Sequence, residues 1–301
     1  MRPRVAVTVG DPRGVGPELV TKVLADPPCD AEYVVIGPAE IVAQIPAGTR
    51  IAIGAMPTSP TPKEAGRLTA LAVEKAVAMA LSGDVSAIVT GPAEKRALHL
   101  AGYPFPGHTE WLAAMAGGVD VAMMLVAGGL RVVLLTTHIP LRQVPDAISA
   151  AGVLSVGHLT RRALEQWWGI ENPRLAVCAV NPHAGEGGIF GREDDEILAP
   201  AARELGAAGP LPADTAFVRA LRGEFDAVLV PAHDVGMTAV KVAGFGTGVN
   251  VTLGLPFVRT APDHGTAFDI AGKGIADPGS LREAVRMAVE LGGLADRRIG
   301  G

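Results

Sequence analysis

The chain is short of cysteine, of aromatic side chains and of surplus charge, and each shortage closes off a class of function. Cysteine occurs only as Cys29 and Cys178 in 301 residues, which leaves no disulfide framework and fits a reducing, cytoplasmic setting. Aromatic residues make up 4% of the chain against 49% apolar residues. The core must therefore be Val, Leu, Ile and Ala, the composition of buried parallel strands and Ala-rich helices. The net charge is −5 and the basic residues are dispersed, so there is no stripe to track a nucleic acid. Every apolar run is broken by Gly, Pro or a charge before it could span a bilayer, and no membrane partner is expected. The first apolar run meets Asp11 too early for the apolar region of a signal sequence. No GxSxG elbow and no GxxxxGK[ST] loop occurs, which argues against acyl or phosphoryl transfer.

What the chain does have is β-branched runs alternating with helical periodicity. Residues 5–9, 33–36, 51–53 and 85–89 read as strands, and residues 19–25 and 63–81 as helices. The pattern predicts βαβ units and a mostly parallel sheet. A hairpin is expected around Gly128 and Gly129, joining strands 123–126 and 131–137. A helix over 149–168, strands over 175–180 and 226–230, and a closing helix over 280–291 complete the outline, with a loop at 209–217. A chain of this length makes one large or two medium α/β domains. The segment GDPRGVGPE, residues 10–18, joins a strand to a helix start and so could receive an anion. Leu19 stands where a dinucleotide fingerprint needs its third glycine, and Asp11 and Glu18 argue against a simple phosphate cradle.

The chemistry concentrates in residues 250–277. Arg259 is a cation shaped for carboxylate or phosphate. Asp263 and His264 are titratable neighbours, and Gly265, Gly272 and Gly274 allow close backbone approach to a ligand. Asp269 could accept hydrogen bonds from ribose hydroxyls. Upstream, His108 and Thr109 in GHTE could bond an anionic or hydroxylated ligand; alternatively Thr109 caps the helix that comes after it. His138, His183 and His233 each follow an apolar strand by a few residues, where ligands bind in open α/β sheets. Three imidazoles with open positions make a catalytic site for a divalent metal, and Asp214 and Asp234 could complete or orient it. Imidazole suits zinc, cobalt or nickel, and added carboxylates or waters would admit magnesium or manganese.

In order, GDPRGVGPE, TGPAEK, GYPFPGHTEWLA, THIPL, NPHAGEGGIFGRE, PADTAF, NVTLGLPFVRT and DHGTAFDIAGKG resemble the 4-hydroxythreonine-4-phosphate dehydrogenase family of pyridoxal phosphate biosynthesis over nearly the whole chain. The last segment is also similar to the NAD-binding loop of isopropylmalate and isocitrate dehydrogenases. The resemblance implies two α/β/α domains with a cleft between them, residues 1–122 plus 265–301 and residues 123–264, in a homodimer with the active site at the subunit interface. It implies one divalent metal (Zn, Mg, Mn or Co) on His138, His183 and His233, the last from the partner. It places a phosphorylated substrate on His108, Thr109, Lys241, Asn250 and Arg259. It sets NAD or NADP against His264, Gly265, Thr266 and Asp269. The implied reaction oxidises a secondary alcohol to a 3-oxo acid that loses carbon dioxide. Asp214, Asp234, Lys241 or a metal-bound water are the candidates for moving the proton. Val235 stands where the family usually has glutamine after His-Asp, and Ala232 where it often has a bulkier residue. That departure keeps open a protein that binds metal and anions without catalysis. DIAGKGIAD is similar to a branch that oxidises threonate or erythronate 4-phosphate.

Overall fold

A computed structural model of the chain describes residues 2–299, with side chains through residue 295. The chain divides into two compact units, residues 1–120 with 246–301 and residues 121–245.

The first unit begins with β1 (Arg4–Thr8), α1 (Gly16–Ala25), β2 (Glu32–Gly37), α2 (Ala39–Val42) and β3 (Thr49–Ala52). Next come α3 (Pro62–Leu81), β4 (Ala87–Thr90), α4 (Lys95–Leu100) and α5 (His108–Met115). All four residues of β4 and the last four of β1 are buried, because helices cover both faces of a parallel sheet. The start of α3 is fixed by a capping box, in which the Thr61 hydroxyl accepts from the Glu64 N–H and the Glu64 carboxylate accepts from the Thr61 N–H. Gly66, on the buried face of α3, leaves no room for a β-carbon against the Ala97 carbonyl, so α3 and α4 pack backbone to backbone.

The second unit is continuous. It contains the hairpin β5 (Ala122–Ala127) and β6 (Leu130–Leu134), then α6 (Val144–Ala147) and α7 (Ala150–Gln166). Then come β7 (Leu175–Cys178), α8 (Ala199–Leu205), β8 (Ala208–Leu211), α9 (Ala213–Leu221), β9 (Ala227–Val230) and α10 (His233–Gly244). Its strands run in the order β5-β6-β9-β7-β8, antiparallel only in the hairpin. The loop expected over 209–217 is instead β8 and the first turn of α9. Ala208 and Leu211 pair with β7 across a register irregularity that Gly209 and Pro210 conceal in the sequence.

The chain then re-enters the first unit as β10 (Val249–Leu253), β11 (Val258–Pro262) and α11 (Gly279–Ile299). The first unit's strand order is β3-β2-β1-β4-β11-β10. β11 lies parallel to β4 and antiparallel to β10. The return therefore comes at Gly246, earlier than the residue 265 expected from the sequence, because this hairpin belongs to the first unit's sheet. Among the described residues no helix is long and apolar enough to cross a membrane.

Candidate active site

In the first unit, β11 carries Arg259 into the interior with 4% of its surface exposed. Its Nε and Nη2 donate to the Thr90 hydroxyl at 3.1 and 2.6 Å, and its Nη1 donates to the Thr252 hydroxyl at 3.0 Å. Among the described residues no carboxylate pairs with it, and burial pushes its pKa down to about 10. A buried cation held only by neutral hydroxyls is an electrostatic vacancy for an anion.

His108 is the first residue of α5 and lies near enough to Arg259 and Lys95 to feel both charges. Burial first, then those two cations, push its pKa down to about 3, so the ring is neutral at physiological pH. The His108 Nε2, the Asn250 Oδ1 on β10 and the His264 Nε2 are all shielded from solvent and have no hydrogen-bond partner among the described residues. Orphaned buried polar atoms of this kind call for an explanation, and a ligand supplies one. Thr109 is buried at 8% exposure and is not the helix cap; Gly107 holds that place in an extended conformation.

The loop after β11 holds the residues expected to meet a nucleotide. His264 Nδ1 lies 3.0 Å from the Gly265 carbonyl, and Gly265 and Asp269 are exposed. The Thr266 carbonyl accepts from the Val15 N–H at 2.9 Å. The negative charge of the GDPRGVGPE segment does not face a ligand unopposed. Asp11 is fully buried and accepts from the Arg13 Nε and Nη2 at 3.0 and 2.7 Å, while Arg13 also bonds Glu94 at 2.6 Å. Glu18 is paired with Lys22 at 2.8 Å.

In the second unit, β6 and β9 are adjacent parallel strands, so their C-terminal ends emerge side by side. His138 follows β6 and His233 opens α10 just after β9, and their ring centroids are 5.4 Å apart at 47°. That is the spacing of two imidazoles on one ion. Metal–nitrogen bonds of about 2.0–2.1 Å at a tetrahedral angle put the two ring centres about 5 Å apart. The His233 Nδ1 bonds the Asp234 carboxylate at 2.8 Å, which leaves Nε2 as the outward nitrogen. The pair therefore offers two imidazole donors to a divalent metal, two of the ligands such an ion needs.

His183 does not join that pair within one chain, since the described residues contain no group of three His, Cys, Asp or Glu able to hold an ion. This departs from the expected set, in which His233 was the residue apart. His183 sits on a left-handed turn with φ of 53°, followed by Ala184 at 56° and Gly185 at 78°. The turn is pinned from behind by Asp194, which is fully buried and accepts from the Val180 and Asn181 N–H groups at 2.9 and 3.0 Å. Asp214 lies exposed in the first turn of α9. Lys241 is on α10 in the second unit, with its Nζ 5.8 Å from the Phe245 ring centre. Cys178 is buried in β7, and burial pushes its thiol up to about 12, so it is inert. Sequence reasoning missed Thr90, Thr252 and Asp194. Thr90 and Thr252 are polar residues at or near a strand end, and that position was the available signal; Asp194, in the helical turn Asp194–Leu198, offered none.

Comparison with known proteins is decisive about family. The model of the family described as "Pyridoxal phosphate biosynthetic protein PdxA" matches residues 30–288. The chain is 43% identical to a 4-hydroxythreonine-4-phosphate dehydrogenase of Chromobacterium violaceum, over 99% of both chains. It is also 43% identical to a D-threonate 4-phosphate dehydrogenase of Cupriavidus necator, over 96% of this chain and 97% of that one. A solved 4-hydroxythreonine-4-phosphate dehydrogenase of Klebsiella pneumoniae superposes with a TM-score of 0.85 at 38% identity, covering 97% of this chain and 98% of the other. An isocitrate dehydrogenase of Methylococcus capsulatus, at 16% identity and a TM-score of 0.52 over 100% and 89% of the two chains, shares the fold alone. On sequence and architecture together, the chain belongs to the PdxA family of pyridoxal phosphate biosynthetic proteins.

Proposed function

We propose that the protein is a metal-dependent, NAD(P)-linked dehydrogenase. It would oxidise 4-phosphohydroxy-L-threonine to a 3-oxo acid that decarboxylates to 3-amino-2-oxopropyl phosphate, in pyridoxal 5′-phosphate biosynthesis. The observation that carries the reading is Arg259, a buried guanidinium with no acid partner among the described residues, close to a neutral His108. A substrate bearing a phosphate and a carboxylate supplies the missing anion. His108, Thr109 and Asn250 then orient its polar groups, and the unpartnered His108 Nε2 and Asn250 Oδ1 gain their hydrogen bonds. Lys241 is the second cation for the substrate's other anionic end.

His138 and His233 would hold the metal, with Asp234 fixing the His233 ring through Nδ1. Imidazole ligation favours zinc or cobalt over magnesium or manganese. Bound NAD(P) supplies the hydride acceptor, and the divalent metal supplies polarisation of the oxygen on the carbon being oxidised. Asp234 is committed to the ring nitrogen, so exposed Asp214 is the freer carboxylate to receive the hydroxyl proton. A homodimer would complete the set of His138, His183 and His233, with one of the three contributed across the subunit interface. Large apolar side chains left exposed on the second unit, including Leu141 at 75%, Ile189 at 74%, Val242 at 83% and Phe245 at 83%, support self-association. Both cysteines are free, in keeping with a reducing compartment such as the cytoplasm.

A second reading rests on the equal 43% identity to the D-threonate 4-phosphate enzyme, whose substrate differs by a hydroxyl in place of the amino group. The test is reduction of NAD or NADP followed by absorbance, with each substrate, before and after adding one divalent metal, and with His183→Ala. Metal-dependent turnover of the amino substrate, lost in the variant, supports the first reading. Turnover of only D-threonate 4-phosphate keeps the chemistry and changes the pathway. Metal binding without turnover of either sinks the dehydrogenase and favours the non-catalytic binder that Val235 suggests.

A further inference from the structure

The stretch from Thr266 to Ala276 is largely exposed, and its own backbone bonds are two turn contacts, Ile270 N–H to Ala267 O at 3.1 Å and Lys273 N–H to Ile270 O at 3.2 Å. Such a segment is mobile unless something outside it fixes its shape. The connection between β1 and α1 fastens its first end, and α1 itself the second. At the first end the Val15 N–H donates to the Thr266 carbonyl at 2.9 Å, and the Arg13 guanidinium lies 5.0 Å over the Phe268 ring. At the second end Glu18 accepts from the Gly274 N–H at 3.1 Å and the Ala276 N–H at 3.0 Å. Lys22, one helical turn on, donates to the carbonyls of Gly274 at 2.9 Å and Ala276 at 2.7 Å, and to Glu18 at 2.8 Å.

Two side chains thus engage both the N–H and the C=O of residues 274 and 276, the alternate residues that a neighbouring β-strand would engage. An ion pair four residues apart on a helix needs no such partners to form, and its own worth is slight. What the arrangement adds is a fixed path for a loop with no strand beside it.

We propose that Glu18 and Lys22 are positioning residues for the nicotinamide nucleotide, holding residues 266–276 in their binding shape before the nucleotide arrives. This rests on the reading that the segment from His264 to Asp269 takes the cofactor. Neither side chain needs to touch it. The consequence is a division between binding and chemistry. Loosening the clamp lowers the population of the competent loop, and the apparent affinity falls by the same factor.

The experiment uses the full-length protein with Glu18→Gln, Lys22→Met and the exchanged pair Glu18→Lys/Lys22→Glu. Glu18→Gln is nearly isosteric and keeps one acceptor oxygen, so it remains informative should Lys22→Met fail to fold. NADH binding is followed by fluorescence, amide hydrogen exchange is measured across 264–277, and KM for nucleotide and for substrate are measured separately. The expected result is faster exchange at Gly274 and Ala276, with the NADH Kd and the nucleotide KM raised about tenfold, the factor that results if the ordered loop falls to about a tenth of the population. Turnover at saturation and the KM of the phosphorylated substrate stay within about twofold. The exchanged pair keeps the ion pair but presents a cation to the two N–H groups, so it is as defective as the single variants. Unchanged NADH affinity in the single variants despite faster exchange overturns the proposal, as does full rescue by the exchanged pair. If the unaltered protein binds neither NADH nor NADPH, the cofactor reading itself fails and the proposal with it, an outcome distinct from wild-type binding that the variants retain.

Discussion

Replacing Arg259 with methionine should separate stability from anion binding. The guanidinium is 4% exposed and, among the described residues, bonds only to the hydroxyls of Thr90 and Thr252. Its depression to about 10 corresponds to roughly 3 kcal/mol against the charged form at neutral pH. The sign comes from proton counting. An unfolded arginine keeps its proton to higher pH than the folded one, so above about pH 10 the unfolded chain binds more protons and stability rises with pH. At neutral pH the whole penalty stands. Methionine fills similar space without charge, and the lost hydroxyl contacts cost on the order of 1–2 kcal/mol. Arg259→Met should therefore be at least as stable as the unaltered protein, and by as much as about 2 kcal/mol more so, or several degrees in melting temperature. Inorganic phosphate at a hundredfold over its Kd should stabilise the unaltered protein by about 2.7 kcal/mol and leave the variant untouched. Turnover should fall about a hundredfold, the loss expected when charge-assisted hydrogen bonds to an anion are removed. Thermal melts across a phosphate titration, with initial rates, measure all three. A variant more than about 3 kcal/mol less stable that phosphate still protects would show Arg259 to be a structural cation, and the vacancy argument would be wrong.

His108 is held neutral with a pKa of about 3, so the folded chain refuses a proton that the unfolded chain takes below about 6.5. Stability should decline as pH drops through that window, and His108→Gln should flatten the decline in denaturant midpoints measured against pH. His138→Ala and His233→Ala should each weaken cobalt binding in equilibrium dialysis by more than about tenfold, whereas the exposed His158→Ala should not. Asp234→Asn should weaken it by about tenfold at most, at the low end for a ligand-orienting carboxylate, because the Asp234 side chain is 96% exposed. Gly66→Ala, which improves helix propensity, should still destabilise the protein by about 1–3 kcal/mol in urea melts, because the added carbon meets the Ala97 backbone. A neutral or stabilising result would mean α3 and α4 separate easily.

The histidine positions were legible because buried parallel strands announce themselves as β-branched runs, and a residue a few places beyond such a run must stand at a strand end. Their grouping was not. That His138 meets His233 comes from β6 pairing with β9, and strand adjacency leaves no mark on local sequence. His183 sits on a left-handed turn backed by Asp194, whose charge reads in the sequence as one more surface acid. Arg259 was recognisable as an anion-binding cation, but not as a buried one. The boundary at residue 265 was misplaced because the glycine and proline of NVTLGLPF mask two strands. Asp11 and Glu18 looked hostile to a ligand because their partners, Arg13 and Lys22, were not credited to them.

The position of β11 bears on how the protein is made. It lies between β4 and β10, fifth of the six strands of the first unit's sheet, yet it spans Val258–Pro262, after the whole second unit. A nascent chain therefore carries β3-β2-β1-β4 with β4 as a temporary second open edge while all of residues 121–245 are synthesised. That edge, Ala87–Thr90, is short, made of residues that are all buried in the finished sheet, and a template for mispairing. The continuous second unit, although it comes later in sequence, has all its strands available first and can fold on the ribosome before the first unit closes. Synthesis from β11 onward then completes the sheet, places Arg259 and delivers the loop that α1 clamps, so binding competence comes only after the second unit has been made.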